Sequence, residues 1–185
     1  MVVLEGLGGV QCQPGVVAGY ERAKAAIGLK SNAISFPGTP TALRLSALVL
    51  AVEYLRQAFW DSLDAASEEL RGVVNALARH LPDMGLLWST AAALHGALAD
   101  DAVLVTPTTP HTAFPHGARP PVSQADFTVP ASIAGLPALA MPAGRDADGL
   151  PVSVQLVGPR GSEMRLIALA RKIEPALGGA VFPSS

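Results

Sequence analysis

From residue 102 onward the chain is written in short, unbroken apolar runs, each cut off by proline or glycine, and this pattern restricts the fold more than any other feature. Residues 102–106 end at Pro107, residues 138–141 lie between Pro137 and Pro142, and residues 152–157 lie between Pro151 and Gly158. Such runs are too short for helices, and they carry few polar residues and no charge, unlike a half-exposed strand. They predict internal strands of an α/β sheet packed against helices. Prolines also interrupt the longest uncharged stretches, residues 102–118 and 127–144. A membrane helix needs about 20 apolar residues without such breaks, so these stretches read as buried strands and loops of a soluble protein.

Upstream the rhythm is helical. Residues 14–29 predict a short helix and residues 31–38 an extended segment. Thr39 and Pro40 then form an N-cap and a first-turn proline. Leu45, Leu48, Val49, Val52, Leu55 and Phe59 follow at helical spacing. Leu63, Ala66, Leu70, Val73, Leu77 and Leu81 make the stripe of a second helix, stopped by Pro82, and residues 86–98 predict a third, buried on most sides. A last helix opens at Ser162 and turns Leu166, Ile167, Ala170 and Ile173 inward; Arg171 and Lys172 suit the dipole at its end.

Composition narrows the function classes. Half of the 185 residues are hydrophobic and only 15% charged, against a usual charged share of about 25%, so the chain buries a large core and is not disordered. Thirteen basic and fifteen acidic residues, with no cationic run, exclude the clustered charge that nucleic acid or an anionic membrane requires. The single cysteine, Cys12, cannot close an internal disulfide, and Glu5 stands where a signal peptide would be basic or apolar. A cytoplasmic location is the expectation.

Most candidate chemistry is weak. His80, His95, His111 and His116 lack the helical i, i+4 placement of a strong metal site, so they read as loop or surface residues, and Asp100 and Asp101 as a solvated helix end. Cys12 has no neighbouring cation to activate it. Gly6, Gly8 and Gly9 follow the apolar Val2–Leu4, but Gln11 stands where a dinucleotide loop requires Gly or Ala; the expectation is a flexible N-terminus. No lysine completes a P-loop, and no serine sits in a nucleophile elbow. Phe59, Trp60 and Trp88 read as core packing. No metal and no cofactor is expected.

Three pieces in order carry a more specific signal: DAVLVTPTTP (101–110), FTVPASIAGLPALAMPAG (127–144) and GLPVSVQLVGP (149–159), followed by a helix with Glu163, Leu166 and Glu174. Together they resemble the C-terminal part of the amidase signature enzymes, over roughly two-fifths of the chain. Ser132 stands where that family commonly has Asn, and Ser153 where it usually has Gly. The resemblance implies an α/β fold with a mixed β-sheet flanked by helices. It implies one partial amidase-like domain over residues 1–185, mainly helical over 1–100 and α/β over 101–178. The family hydrolyses amides with a Ser–Ser–Lys triad and a Gly/Ser-rich oxyanion loop. This chain has three lysines (Lys24, Lys30 and Lys172) and no Gly-Gly-Ser-Ser-Gly stretch; its only adjacent serines are Ser184 and Ser185. An unactivated hydroxyl is a poor nucleophile, so no catalytic residue is assigned and amide hydrolysis is expected only with a catalytic half.

By the same resemblance, loops 106–121 and 125–132 would face the substrate pocket. Phe127 and Thr128 would line it, and a small amide would be the substrate. Gly135, Pro137, Gly149 and Pro151 would shape the backbone, while Gln155 would satisfy buried backbone groups rather than touch substrate. A half-protein would leave strands such as 152–157 with a bare edge, so self-association, or re-pairing of strands, is expected. The alternative reading is a non-catalytic interaction module or pseudoenzyme relic; a self-sufficient enzyme built on His111, His116 and the aspartates is the remaining one.

Overall fold

The computed structural model describes residues 1–28, 30–58, 68–99 and 101–178. Its strands are β1 (Val2–Leu4), β2 (Asn32–Ile34), β3 (Leu104–Pro107), β4 (Ala138–Arg145) and β5 (Pro151–Val157). They form one sheet in the order β2-β1-β3-β5-β4. β1 runs parallel to β2 and β3, whereas β5 is antiparallel to both β3 and β4. The mixed α/β sheet expected from the sequence is therefore present. Between β4 and β5 there is a tight turn rather than a helix: the Asp146 carboxylate accepts from the backbone N–H groups of Asp148 and Leu150 at 3.0 and 2.8 Å. Gly149 takes the positive φ of 80° that this turn needs.

The helices are α1 (Pro14–Ile27), α2 (Pro40–Ala58), α3 (Glu68–Leu77), α4 (Met84–Ala97), α5 (Val129–Ala134) and α6 (Glu163–Ile173). Alternating strand residues feed two cores, one on each face of the sheet. Val105, Val154 and Leu156 pack with Val16, Tyr20 and Ala23 of α1 and with Leu166, Ala170 and Ile173 of α6. Leu104 and Val157 point the other way, toward Leu94 and Leu98 at α4 and Phe127, Ala131 and Ala134 at α5. α1 comes unusually close to the sheet at Gly19, where a Cβ would lie 2.8 Å from Val152 Cγ2 and 3.2 Å from the Ala143 carbonyl oxygen. Only glycine fits there without displacing the strand.

Several expectations need correction. The N-terminus is not loose: β1 lies inside the sheet with Val2 and Leu4 buried. Three residues carry too little pattern to be read as a strand. Residues 152–157 have no bare edge, because β5 sits between β3 and β4 and the described edges are β2 and β4. In α2 the Thr39 hydroxyl caps the Ala42 N–H at 3.2 Å, as the sequence predicts. Its buried side is nevertheless Leu43, Ser46, Val49 and Val52, and Leu45, Leu48 and Leu55 of the predicted stripe are exposed. A helix apolar all round does not reveal which side faces the core.

The second helix ends at Leu77, leaving Leu81 94% exposed. Trp88 on α4 is 70% exposed rather than packed in the core, so that helix is open on its outer side. Phe59, Trp60, Leu63, Ala66 and Asp100 lie outside the described residues.

Candidate functional site

The parallel strands set the position of the site. β1 connects to β2 on one side, and the chain later returns to place β3 on the other, so the strand order reverses between β1 and β3. Crevices open beyond the carboxyl ends of parallel strands at such a switch point. Here a cavity of about 250 Å³ lies there, lined by residues that follow β1 (Glu5, Leu7, Gly8, Val10), follow β2 (Ser35, Phe36, Pro37) or end the loop after β3 (Asp126, Phe127). A second hollow of about 410 Å³ shares Gly8, Val10, Gly38, Thr39, Pro40 and Asp126 with it and adds Gln11, Thr41, His111 and Ser123. An apolar well therefore adjoins a more polar mouth.

The turn after β1 is bent by four successive positive φ angles: 51°, 54°, 65° and 79° at Gly6, Leu7, Gly8 and Gly9. Leu7 is the one non-glycine of the four, held where residues with a side chain are uncommon. The glycines that resemble a nucleotide loop in sequence serve to fold this left-handed turn over the crevice.

The loop from 108 to 128 forms the opposite wall and is tied down at several points. The Gln13 side-chain oxygen accepts from the backbone N–H and hydroxyl of Thr112 at 2.8 and 3.0 Å. The Gln13 N–H donates to the Pro110 carbonyl at 3.0 Å. The Thr109 hydroxyl donates to the His111 carbonyl at 2.7 Å. At the far end of the loop, buried Gln155 donates its side-chain N–H to the Phe127 carbonyl and to the Thr106 hydroxyl, the latter at 2.9 Å. Gln155 thus satisfies a buried backbone carbonyl, as expected for it.

Two lone charges meet at the crevice. Arg44 is the only charged residue between Lys30 and Glu53, and Asp126 is the only acid between Ala102 and Gly144. They form a charge-assisted pair in which both side chains are largely buried. Burial pushes the Asp126 carboxyl above its ordinary pKa, while the Arg44 guanidinium and His111 pull in the other direction. The pair was legible only as two isolated, opposite charges in apolar surroundings, and sequence reasoning missed it.

His111 is half-buried, and its Nε2 lies 2.9 Å from the Ser123 hydroxyl. It is therefore not a plain surface histidine. His80 and His116 are exposed, and His95 Nε2 is 3.1 Å from the Ala134 carbonyl oxygen. Among the described residues no three His, Cys, Asp or Glu side chains gather to hold a metal ion. Burial pushes the Cys12 thiol up to about 11, which keeps it unreactive at neutral pH. Phe127 is buried and lines the cavity, whereas Thr128 does not; its hydroxyl donates to the Ala125 carbonyl at 3.3 Å. Ser132 donates to the Thr128 carbonyl at 3.1 Å on the exposed side of α5.

Comparison with known proteins bears on this arrangement. Residues 78–167 match the Amidase family model. A glutamyl-tRNA(Gln) amidotransferase subunit of Halothermothrix orenii is 43% identical over 82 residues, which cover 42% of this chain and 17% of that protein. The solved structure of a glutamyl-tRNA(Gln) amidotransferase subunit from Thermotoga maritima superposes on 94% of this chain and 41% of its own, with a TM-score of 0.67 at 23% identity. A solved amidase covers 96% of this chain and 45% of its own, with a TM-score of 0.74 at 21% identity. The chain thus spans less than half the length of either solved relative. Over residues 78–167 the chain is therefore similar in sequence to the Amidase family, and its fold is that of the matching part of those solved structures.

Proposed function

We propose that this chain is the scaffold and pocket-forming portion of an amidase that hydrolyses amide C–N bonds only when a segment carrying the nucleophilic serine, bridging serine and lysine is joined to it. The observation that carries the reading is the crevice at the β1/β3 switch point, walled by the pinned loop 108–128, in a chain whose 185 residues contain no Gly-Gly-Ser-Ser-Gly stretch. In this reading Phe127 and the apolar well take the body of a small amide substrate. The Arg44–Asp126 pair fixes the loop that presents the wall, and Gln155 holds the Phe127 carbonyl so that the loop cannot drift. Attack on the amide carbon needs an activated hydroxyl and preset oxyanion donors, and both would come from the joined segment.

The test is ammonia release from simple aliphatic and aromatic amides. The chain alone should give none. Co-expression with the N-terminal catalytic segment of an amidase of this fold should give turnover that disappears when the lysine of that segment is changed to alanine. Turnover by the chain alone would overturn the reading.

The reading extends to self-association. Leu48, Ala51, Tyr54 and Leu55 form an exposed, uncharged stripe on α2, and a helix apolar on its outer side as well as its inner one is built to be covered. A second copy of this chain is the occupant we assign to it.

A further inference from the structure

The contact between His111 and Ser123 is not needed by the amidase reading, yet it has the geometry of a nucleophile and its base. We propose that Ser123 and His111 form a hydrolytic dyad, independent of the amidase machinery, that takes short-chain uncharged acyl groups from activated esters. The Ser123 hydroxyl lies 2.9 Å from His111 Nε2, within the range required for direct proton transfer. Both side chains line the 410 Å³ hollow together with Asp126, whose carboxyl is close enough to feel the His111 charge.

The dyad is preorganised by its anchors. His111 is fixed by the Thr109 hydroxyl on its own carbonyl and by Gln13 on the adjacent Thr112. Ser123 is fixed by the turn in which its carbonyl accepts from the Asp126 N–H at 3.0 Å. Asp126 is in turn clamped by Arg44. Because Arg44 is engaged in that pair, it does not attract a carboxylate into the crevice. The adjoining well, walled by Leu4, Leu7, Phe36, Leu43 and Phe127, suits an apolar acyl chain. These two features select an uncharged, apolar acyl group.

The chemistry balances without a cofactor. Ser123 Oγ forms a bond to the ester carbonyl carbon as its proton passes to His111 Nε2. The carbon–oxygen bond to the leaving group then breaks, and the leaving oxygen takes that proton. Water attacks the acyl-serine, giving one proton to His111 Nε2, which returns it to Ser123 Oγ as the carboxylic acid departs. Amides, with a far poorer leaving group, are not turned over by a dyad lacking a built oxyanion site, so failure of this proposal and failure of the amidase reading are told apart by substrate.

The experiment treats the purified full chain with an alkyl fluorophosphonate and maps the adduct by peptide mass spectrometry, alongside hydrolysis of 4-nitrophenyl butyrate. The expected result is a single adduct on Ser123, slowed about 100-fold in His111→Gln, with ester hydrolysis at buffer background in Ser123→Ala. Circular dichroism checks that both variants fold. Ser123→Cys in a Cys12→Ser background gives a second route: iodoacetamide should alkylate that thiol faster than it does in the same protein carrying His111→Gln. An adduct elsewhere, no adduct, or a rate indifferent to His111 overturns the proposal.

Discussion

The two halves of the molecule bury apolar surface in opposite ways. In residues 101–178 the central strands are covered by their neighbours: β3 is buried along its whole length, and β5 is flanked on both sides. In the helical layer of α2 and α4, apolar residues occupy the outer face as well as the inner one, and Tyr54 and Trp88 stand 68% and 70% exposed. The first region buries its central strands between two cores, one on each face of the sheet. The second leaves apolar side chains that the described residues do not cover, and the difference separates residues that hold the fold from residues that the fold leaves open to water.

The largest test of that contrast is in the covered region. Leu156 is fully buried at the centre of β5 and paired with β3 and β4. Leu156→Ala should lower the unfolding free energy by about 3–4 kcal/mol, the usual cost of lost transfer energy plus a cavity that a paired strand cannot close. Urea denaturation measures it. A loss below about 1 kcal/mol would mean that the sheet is as loosely covered as the helical layer.

A smaller, pH-dependent effect belongs to the crevice that joins the two regions. Arg44 lies on α2 and Asp126 at the end of the long loop, so their pair ties the helical layer to the sheet. Arg44→Met keeps the length of the side chain and leaves a buried carboxylate without its partner, at a cost of about 3 kcal/mol near pH 7.5. The Asp126 pKa is already raised by burial, and removing Arg44 raises it further. A carboxyl whose folded pKa exceeds its unfolded value takes up a proton on folding. Its stabilising contribution is therefore present below the unfolded value and lost as the pH rises through the folded one. The gap between variant and wild type should narrow on acidifying from pH 7.5 toward the Asp range, as Asp126 becomes neutral in the variant. Thermal melts at several pH values report it, and a constant gap would assign Arg44 to packing alone.

The legibility of each part follows the same division. Strands β3 and β5 were readable because proline and glycine punctuate apolar runs at their ends, and Gln155 because a lone amide in such a run needs a buried partner; β4 was placed but cut short, since it continues through Pro142 and Gly144 to Arg145. β1 was missed since three residues carry no period, and the rotation of α2 since an apolar residue on every face leaves no phase to read. The crevice was half-legible. Phe127 sat in a recognisable motif, whereas Ser123 meets His111, and Asp126 meets Arg44, through a loop pinned by Gln13, about a hundred residues away in sequence. Local patterns cannot encode a contact of that range.

The smallest expected change in stability, and the sharpest test of the uncovered region, lies on α2. Leu48 and Leu55 are seven residues apart on the exposed stripe, 39% and 42% exposed, so each already contacts water in the single chain. Leu48→Gln/Leu55→Gln should shift the unfolding free energy by no more than about 0.5 kcal/mol, since surface substitutions remove little that folding buries. Association is another matter, because an interface core excludes polar groups that find no partner. Sedimentation velocity should show wild type associating with rising concentration and the double variant remaining a monomer. If both sediment as monomers, the outer stripe is not a contact between copies. If the variant unfolds more readily by several kcal/mol, the stripe is covered within the chain itself, and the contrast between the two halves disappears.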